Sequence, residues 1–187
     1  MISRRSILLV AGALAGTAVL GPRASVSASV APTAGISAKS RRIALNNLHT
    51  GEKLEIEYFN GDAYVTDALS AIEVLLRDFR NGEKHPIDPK LMDYLADVAA
   101  QAGVTASYSV ISGYRSPETN ERLHERSSGV SQKSLHMQGR AIDVRVNGID
   151  CADLAAHAEG LKRGGVGYYR ASNFVHLDTG AFRTWRG

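Results

Sequence analysis

The chain has 187 residues, 44% of them hydrophobic, with 22 Lys and Arg against 19 Asp and Glu, which suits one globular domain and excludes a disordered or fibrous chain. Arg4, Arg5 and Arg23 are the only charged residues in 1–28; taking these three from 22 leaves 19 basic against 19 acidic residues, so no electrostatic case for nucleic-acid binding remains. The single cysteine, Cys151, excludes an internal disulfide and leaves any metal to His and carboxylate ligands.

Residues 1–28 read as an export signal, because Arg4 and Arg5 precede an apolar run from Ile7 to Leu20. That run has 14 residues, short of the about 20 that a spanning helix needs, so cleavage is expected rather than a permanent membrane anchor. The paired arginines after Ser3 fit a twin-arginine address for export of folded proteins to the periplasm, and an ordinary secretory signal with a basic start is the other reading. Cleavage after Ala28 and cleavage near Ala34 both fit. Residues 29–41, SVAPTAGISAKSR, are small and polar and read as a linker, leaving 42–187 as the domain.

Two short strands come next, Arg42 to Asn46 and Lys53 to Phe59, with His49-Thr50-Gly51 as the turn of an edge hairpin. From Val65 the period changes to the helical one: Ala68, Leu69, Ile72, Leu75, Leu76 and Phe79 share a face, Thr66 or Asp67 is the expected cap, and Gly82 the stop. Asp88 followed by Pro89 signals a second helix, with Leu91, Met92, Leu95, Val98 and Ala99 on one face before Gly103. Both stripes read as core. Ala106 to Ser112 is an expected strand that delivers Gly113-Tyr114-Arg115 to a loop, where Ser116-Pro117 opens a third helix through Glu125. A fourth helix spans Asp150 to Arg163, with Cys151 as a packed, inert thiol and Gly164-Gly165 as its close. His49, His124 and His157 read as solvated or structural.

His136 and Asp143 lie seven residues apart, an odd spacing that puts them on opposite faces of one continuous strand. Gly139 permits a bend, so that His136 sits in the approach loop while Arg140 to Val146 forms a strand. On that strand Ile142, Val144 and Val146 face the core, and Asp143 faces a polar cleft. In FVHLDTG, Val175 and Leu177 share one face while Phe174, His176 and Asp178 share the other. Antiparallel pairing of the two strands brings His176 to Asp143 on the open face. His136, Asp143 and His176 then make three ligands for one zinc ion, with a fourth position left for water.

SLHMQGRAID resembles the SxHxxGxAxD signature of the zinc D-alanyl-D-alanine metallopeptidases, which share a fold with the hedgehog signalling domain. SGYRS, LHMQGRAIDVR, GVGYY and FVHLDTG together are similar to the YcbK-type murein endopeptidases, from about Arg42 to the C terminus. The resemblance implies that His136, Asp143 and His176 bind zinc and that Arg115 lies beside the scissile peptide. Arg115 would then stabilise a developing oxyanion or hold a substrate carboxylate. Carboxypeptidase relatives place a Glu where this chain has Asn173, and another branch places a His where it has Phe174. Asp178 remains as general base or, equally, as the acceptor that orients a ligating imidazole. Ser134 and Tyr169 are expected to meet substrate; Ser134 also suits a loop-stabilising role, and Tyr168 and Tyr169 suit packing as well as lining the cleft.

The expected fold is α+β: a central antiparallel sheet, helices on one face and a zinc cleft on the other. The expected activity is hydrolysis of amide bonds in peptidoglycan peptides, cross-links among them. A catalytically silent zinc- or peptidoglycan-binding module is the rival reading, because a fold does not fix a function.

Overall fold

The structure is a computed structural model that describes residues 40–127 and 129–187. The export signal expected at 1–28 and the linker up to residue 39 lie outside the described residues. Those described form seven strands, β1 (Arg41–Asn47), β2 (Lys53–Phe59), β3 (Ser107–Ser112), β4 (Ala141–Val146), β5 (Gly165–Tyr169), β6 (Phe174–Asp178) and β7 (Arg183–Arg186). Four α-helices accompany them, α1 (Thr66–Leu75), α2 (Pro89–Gln101), α3 (Pro117–Arg126) and α4 (Cys151–Leu161). No helix among the described residues is long and apolar enough to cross a membrane.

The strands form one sheet in the order β2-β1-β3-β4-β6-β5-β7. It is α+β as expected, but mixed rather than antiparallel, since β1 pairs parallel with β3 and β5 pairs parallel with β7. Both departures follow from the connections. The chain crosses from β1 to β3 through the hairpin strand β2 and two helices, and β7 returns past β6 to take the free edge of β5.

Alternation decides which face is core. Ile43 and Leu45 of β1, Tyr108 and Val110 of β3, Ile142 and Val144 of β4, and Val175 and Leu177 of β6 are all buried in one cluster with α1, α2 and α4. Each aliphatic side chain buried there is worth about 1.5–3 kcal/mol of transfer free energy. The helix α2 starts where Asp88-Pro89 places it: the Asp88 carboxylate accepts from the Lys90 N–H at 3.0 Å. Helix α1 differs from expectation at both ends. Val65 caps it without a side-chain bond, and it stops at Leu75 because its last carbonyls find tertiary donors. Asn47 Nδ2 donates to Leu75 O at 3.0 Å, and the Tyr114 N–H to Leu76 O at 2.8 Å.

Helix α3 stands apart from this core. Its buried residues, Thr119 and Asn120, are polar; Asn120 accepts from the Arg115 guanidinium and the Thr119 N–H donates to the Ser116 hydroxyl, so only three of the four helices contribute to the hydrophobic core.

Candidate metal centre

The sheet aligns the site. Asp143 on β4 pairs in register with His176 on β6, His176 with Gly167 on β5, and Gly167 with Trp185 on β7. Directly paired residues project to the same face, so one row of positions crosses four strands on the face away from the hydrophobic core. His136 joins it from a short 3-10 turn, Leu135–Gln138. The bend that admits it is Gly139, at φ +64°; a Cβ there would be driven into the Pro86 carbonyl, so both conformation and space demand glycine.

Three ligand atoms converge. His176 Nδ1 lies 2.9 Å from Asp143 Oδ1, His136 Nε2 lies 3.3 Å from the same oxygen, and the two nitrogens are 3.2 Å apart. A tetrahedral ion with ligands at about 2.0–2.1 Å separates its ligand atoms by roughly 3.3–3.4 Å, close to this triangle. The outer ring nitrogens fix the tautomers. His136 Nδ1 is 2.7 Å from Gly113 O, and His176 Nε2 is 3.0 Å from Asp178 Oδ2. Each of those oxygens only accepts, so each outer nitrogen carries its proton, and in the neutral rings both inner lone pairs face the Asp143 carboxylate. Three electron-rich atoms at such distances call for a cation between them. The donor set therefore fits a divalent metal, with a second layer of partners of the kind that metal-ligating imidazoles use.

The charge states reflect how closely these three groups couple. Burial raises Asp143, but His136 and His176 outweigh it and hold its carboxyl far below the usual range. Burial pushes His136 down. It works against a charged His176 too, yet the hydrogen bonds to Asp143 and Asp178 win and hold that imidazole up at about 9. The two rings share one carboxylate, which has room for a single cation.

Arg115 borders the triad. It is 9% exposed, its Nη2 lies 3.8 Å from Asp143 Oδ2 and its Nη1 donates to Asn120 Oδ1 at 3.2 Å. Burial lowers its pKa. The main chain on either side grips His136: Gly113 O accepts from the ring, and the Arg115 N–H donates to His136 O at 3.2 Å. Asn120 then ties the guanidinium to the segment before the His136 turn by donating to Ser131 O at 3.0 Å.

Asp178 stands behind His176 rather than across the cleft from it. It is fully buried, and both oxygens are engaged. Oδ1 accepts from the N–H groups of Gly165 and Gly180 and from Arg183 Nη1; Oδ2 accepts from His176 Nε2 and, at 2.6 Å, from Arg183 Nη2. Burial raises its pKa, but these bonds, with His176 and Arg183 foremost, leave it well below the ordinary carboxylate value.

A cavity of about 520 Å³ opens over the triad, with Arg115 and Ser134 on one side and Tyr169, Phe174 and Trp185 on the other. Ser134 serves the turn as well, since its hydroxyl accepts from the His136 N–H at 3.3 Å. Of the two adjacent tyrosines only Tyr169 lines the cavity; Tyr168 packs against the hydrophobic core. Asn173 is exposed in a left-handed turn at φ +51°. His124 is structural, its Nδ1–H donating to Val130 O at 2.6 Å, and Cys151 is buried with its thiol pushed up by burial. Sequence reasoning missed Asn120, Arg183 and Trp185. The last is the only tryptophan of the chain, but its place in the row with Gly167 and His176 comes from strand pairing that no local pattern signals.

The family described as peptidoglycan L,D-endopeptidase MepK matches residues 35–185. The peptidoglycan L,D-endopeptidase MepK of Escherichia coli K12 is 39% identical over 183 residues, which cover 98% of this chain and 97% of that protein. The probable peptidoglycan L,D-endopeptidase MepK of Haemophilus influenzae is 39% identical over 150 residues, 80% of this chain and 81% of that protein. No solved structure gives a significant match.

Proposed function

This chain belongs to the peptidoglycan L,D-endopeptidase MepK family, and from that premise we propose that it is a zinc-dependent hydrolase cutting an L,D-peptide bond in peptidoglycan stem peptides, cross-links among them. The observation that carries the metal part of this reading is the triangle of His136 Nε2, Asp143 Oδ1 and His176 Nδ1 at 2.9–3.3 Å, with the outer nitrogen of each ring already bonded. These three residues would hold one zinc ion per chain. Zinc held there supplies a Lewis acid and lowers the pKa of a water to about 7.

The remaining chemistry belongs to the chain. The Gly113 carbonyl and Asp178 lock the two imidazoles so that their inner lone pairs stay turned to the cleft. Arg115, buried and braced by Asn120, presents a fixed positive charge to a peptide oxygen or a substrate carboxylate, where a water-poor setting strengthens it. Ser134 and Tyr169 contact the bound peptide from facing walls. Asp178 positions His176 rather than acting as base, because both its oxygens are occupied and its burial closes it to substrate. Residues 1–28 direct export by the twin-arginine route and 29–40 act as linker, so that the domain, which begins one residue earlier than expected with Arg41 of β1, works in the periplasm; Arg4 and Arg5 before the apolar run support this.

The test incubates the zinc-loaded mature chain with purified cross-linked peptidoglycan and identifies released peptides by mass, beside a His136→Ala control. Cleavage at an L,D-bond that the control lacks is the expected result. Absence of cleavage by a folded chain holding one zinc would overturn the hydrolase reading in favour of a binding module.

A further inference from the structure

The cleft has a wall that the metal ligands do not explain. Gly167 lies in the sheet row between His176 and Trp185, and a Cβ on it would be driven into the Trp185 indole. The missing side chain makes the slot into which that indole fits, with its ring centroid 5.1 Å from that of His176. Trp185 Nε1–H donates to Tyr169 Oη at 3.0 Å. Tyr169 is two residues beyond Gly167 on the same strand and therefore on the same face. Its ring stacks on Phe174 at 4.5 Å between centroids. The phenol is thus held by a stack and by one hydrogen bond that it accepts.

The donor count leaves the Tyr169 phenol free to donate, as it does the hydroxyls of Ser131 and Ser134, which accept from N–H groups of their own turns. Among the charged groups and imidazoles lining the cavity, Arg115, Lys133 and Arg183 only donate, while His136, Asp143 and His176 are turned to one another. Indole N–H also only donates, so it takes a lone pair of Tyr169 and leaves the phenolic proton unspent. That proton has no acceptor among the described residues. Arg115 approaches the triad beside Asp143 and Tyr169 approaches it beyond His176, on the other side of the sheet row.

We propose that Tyr169, held in place by Trp185, donates its hydroxyl proton as a hydrogen bond to the scissile peptide, complementing Arg115 across the cleft and strengthening as charge builds on the substrate. Tyr169 is the catalytic residue of the pair and Trp185 its positioning residue. The proposal rests on the peptidase reading above. Lost donors of this kind cost roughly 10²–10³ in kcat.

The experiment compares the zinc-loaded mature chain with Tyr169→Phe and Trp185→Phe on a soluble cross-linked muropeptide dimer. Expected for Tyr169→Phe is a kcat lower by roughly 100-fold with KM within about twofold and zinc content unchanged. Trp185→Phe keeps an aromatic filler but no N–H, so a kcat loss of about 3–10-fold is expected, in line with one neutral hydrogen bond. A second readout needs neither metal nor turnover. Trp185 is the sole tryptophan, and its emission maximum should move in metal-free Tyr169→Phe, because the indole N–H loses its acceptor. An unchanged kcat in Tyr169→Phe, a raised KM with kcat kept, or an unmoved emission would each overturn the proposal. A wild-type chain that cleaves nothing would overturn the peptidase reading first, and this proposal with it.

Discussion

Replacing Asp178 by Asn separates two roles that one carboxylate near a metal centre can play. The five donors on Asp178 divide unevenly: Gly165 N–H, Gly180 N–H and Arg183 Nη1 point at Oδ1, while His176 Nε2 and Arg183 Nη2 point at Oδ2. An asparagine satisfies the two backbone N–H groups only by placing its carbonyl at the Oδ1 position, which turns its NH2 group against the two donors at Oδ2. The Arg183 side chain is 47% exposed and can swing into water, so the loss falls on His176. Removing such an acceptor from a metal-ligating imidazole costs about 10–100-fold in metal affinity, equivalent to about 1.4–2.8 kcal/mol. A chelator-competition titration gives the zinc Kd, and turnover at saturating zinc gives kcat. The expected result is a weaker Kd in that range, with kcat at saturating zinc lower by no more than about 10-fold. An unaltered zinc Kd with kcat lower by the 10²–10⁴-fold typical of a lost general base would refute the positioning role.

Three other perturbations test the frame around the site. Gly139→Ala forces a Cβ into the left-handed region, at about 1–2 kcal/mol, and against the Pro86 carbonyl; thermal unfolding should fall by about 5 °C or more, and an unchanged midpoint would contradict the packing. Gly167→Ala should expel the indole of Trp185 toward water and shift its emission to the red, and an unshifted spectrum would show that the slot is not filled. Asp78, 1% exposed, accepts from the Ser116 N–H and hydroxyl and from the Arg80 N–H. Burial raises its pKa, but the hydrogen bonds from Thr119, Ser116 and Arg80 win and leave it below the ordinary value. The unfolded chain then binds the proton more readily, so this stabilisation is complete above the unfolded pKa of about 3.9 and is lost as pH falls through the lower folded value. In urea unfolding between pH 2 and 6, Asp78→Asn should cost about 1–3 kcal/mol at the upper end and flatten the acid limb; curves that stay parallel would sink this assignment.

The parts of the fold that local pattern dictates were legible. Alternation in Arg140 to Val146 and Phe174 to Asp178 put Asp143 and His176 on one face, and the structure pairs those two residues directly. Asp88-Pro89 announced α2 because an N-cap and a fixed φ act within three residues of the helix start. What stayed hidden depends on distant partners. Strand β5 begins at Gly165, which with Gly164 read as a helix stop, and its pairing becomes visible only when β6 and β7 flank it. Strand β7 has four residues and borrows its stability from β5. The end of α1 is set by Asn47 and Tyr114, which lie 28 and 39 residues from Leu75 in the chain, and no helical period can report that. The role of Asp178 was undecidable for the same reason: its donors come from β5, from the turn after β6 and from β7.

That dispersion bears on how the site keeps its shape. Buried polar groups cost free energy unless each has a partner, and here the partners are mostly main chain or rigidly held side chains. Gly113 O at the end of β3 holds His136, the N–H groups of Gly165 and Gly180 hold Asp178, and Asp178 holds His176. Arg183 of β7 closes the chain of contacts by gripping Asp178 with both Nη atoms. A ligand triangle with edges near 3 Å tolerates little rotation of either imidazole, and the sheet supplies the stiffness because its central strands have hydrogen-bonded neighbours on both sides. The last strand is therefore part of the site although it supplies no ligand. Arg183 holds His176 through Asp178, Trp185 holds Tyr169 through its indole N–H, and both reach the cleft only because β7 pairs parallel with β5.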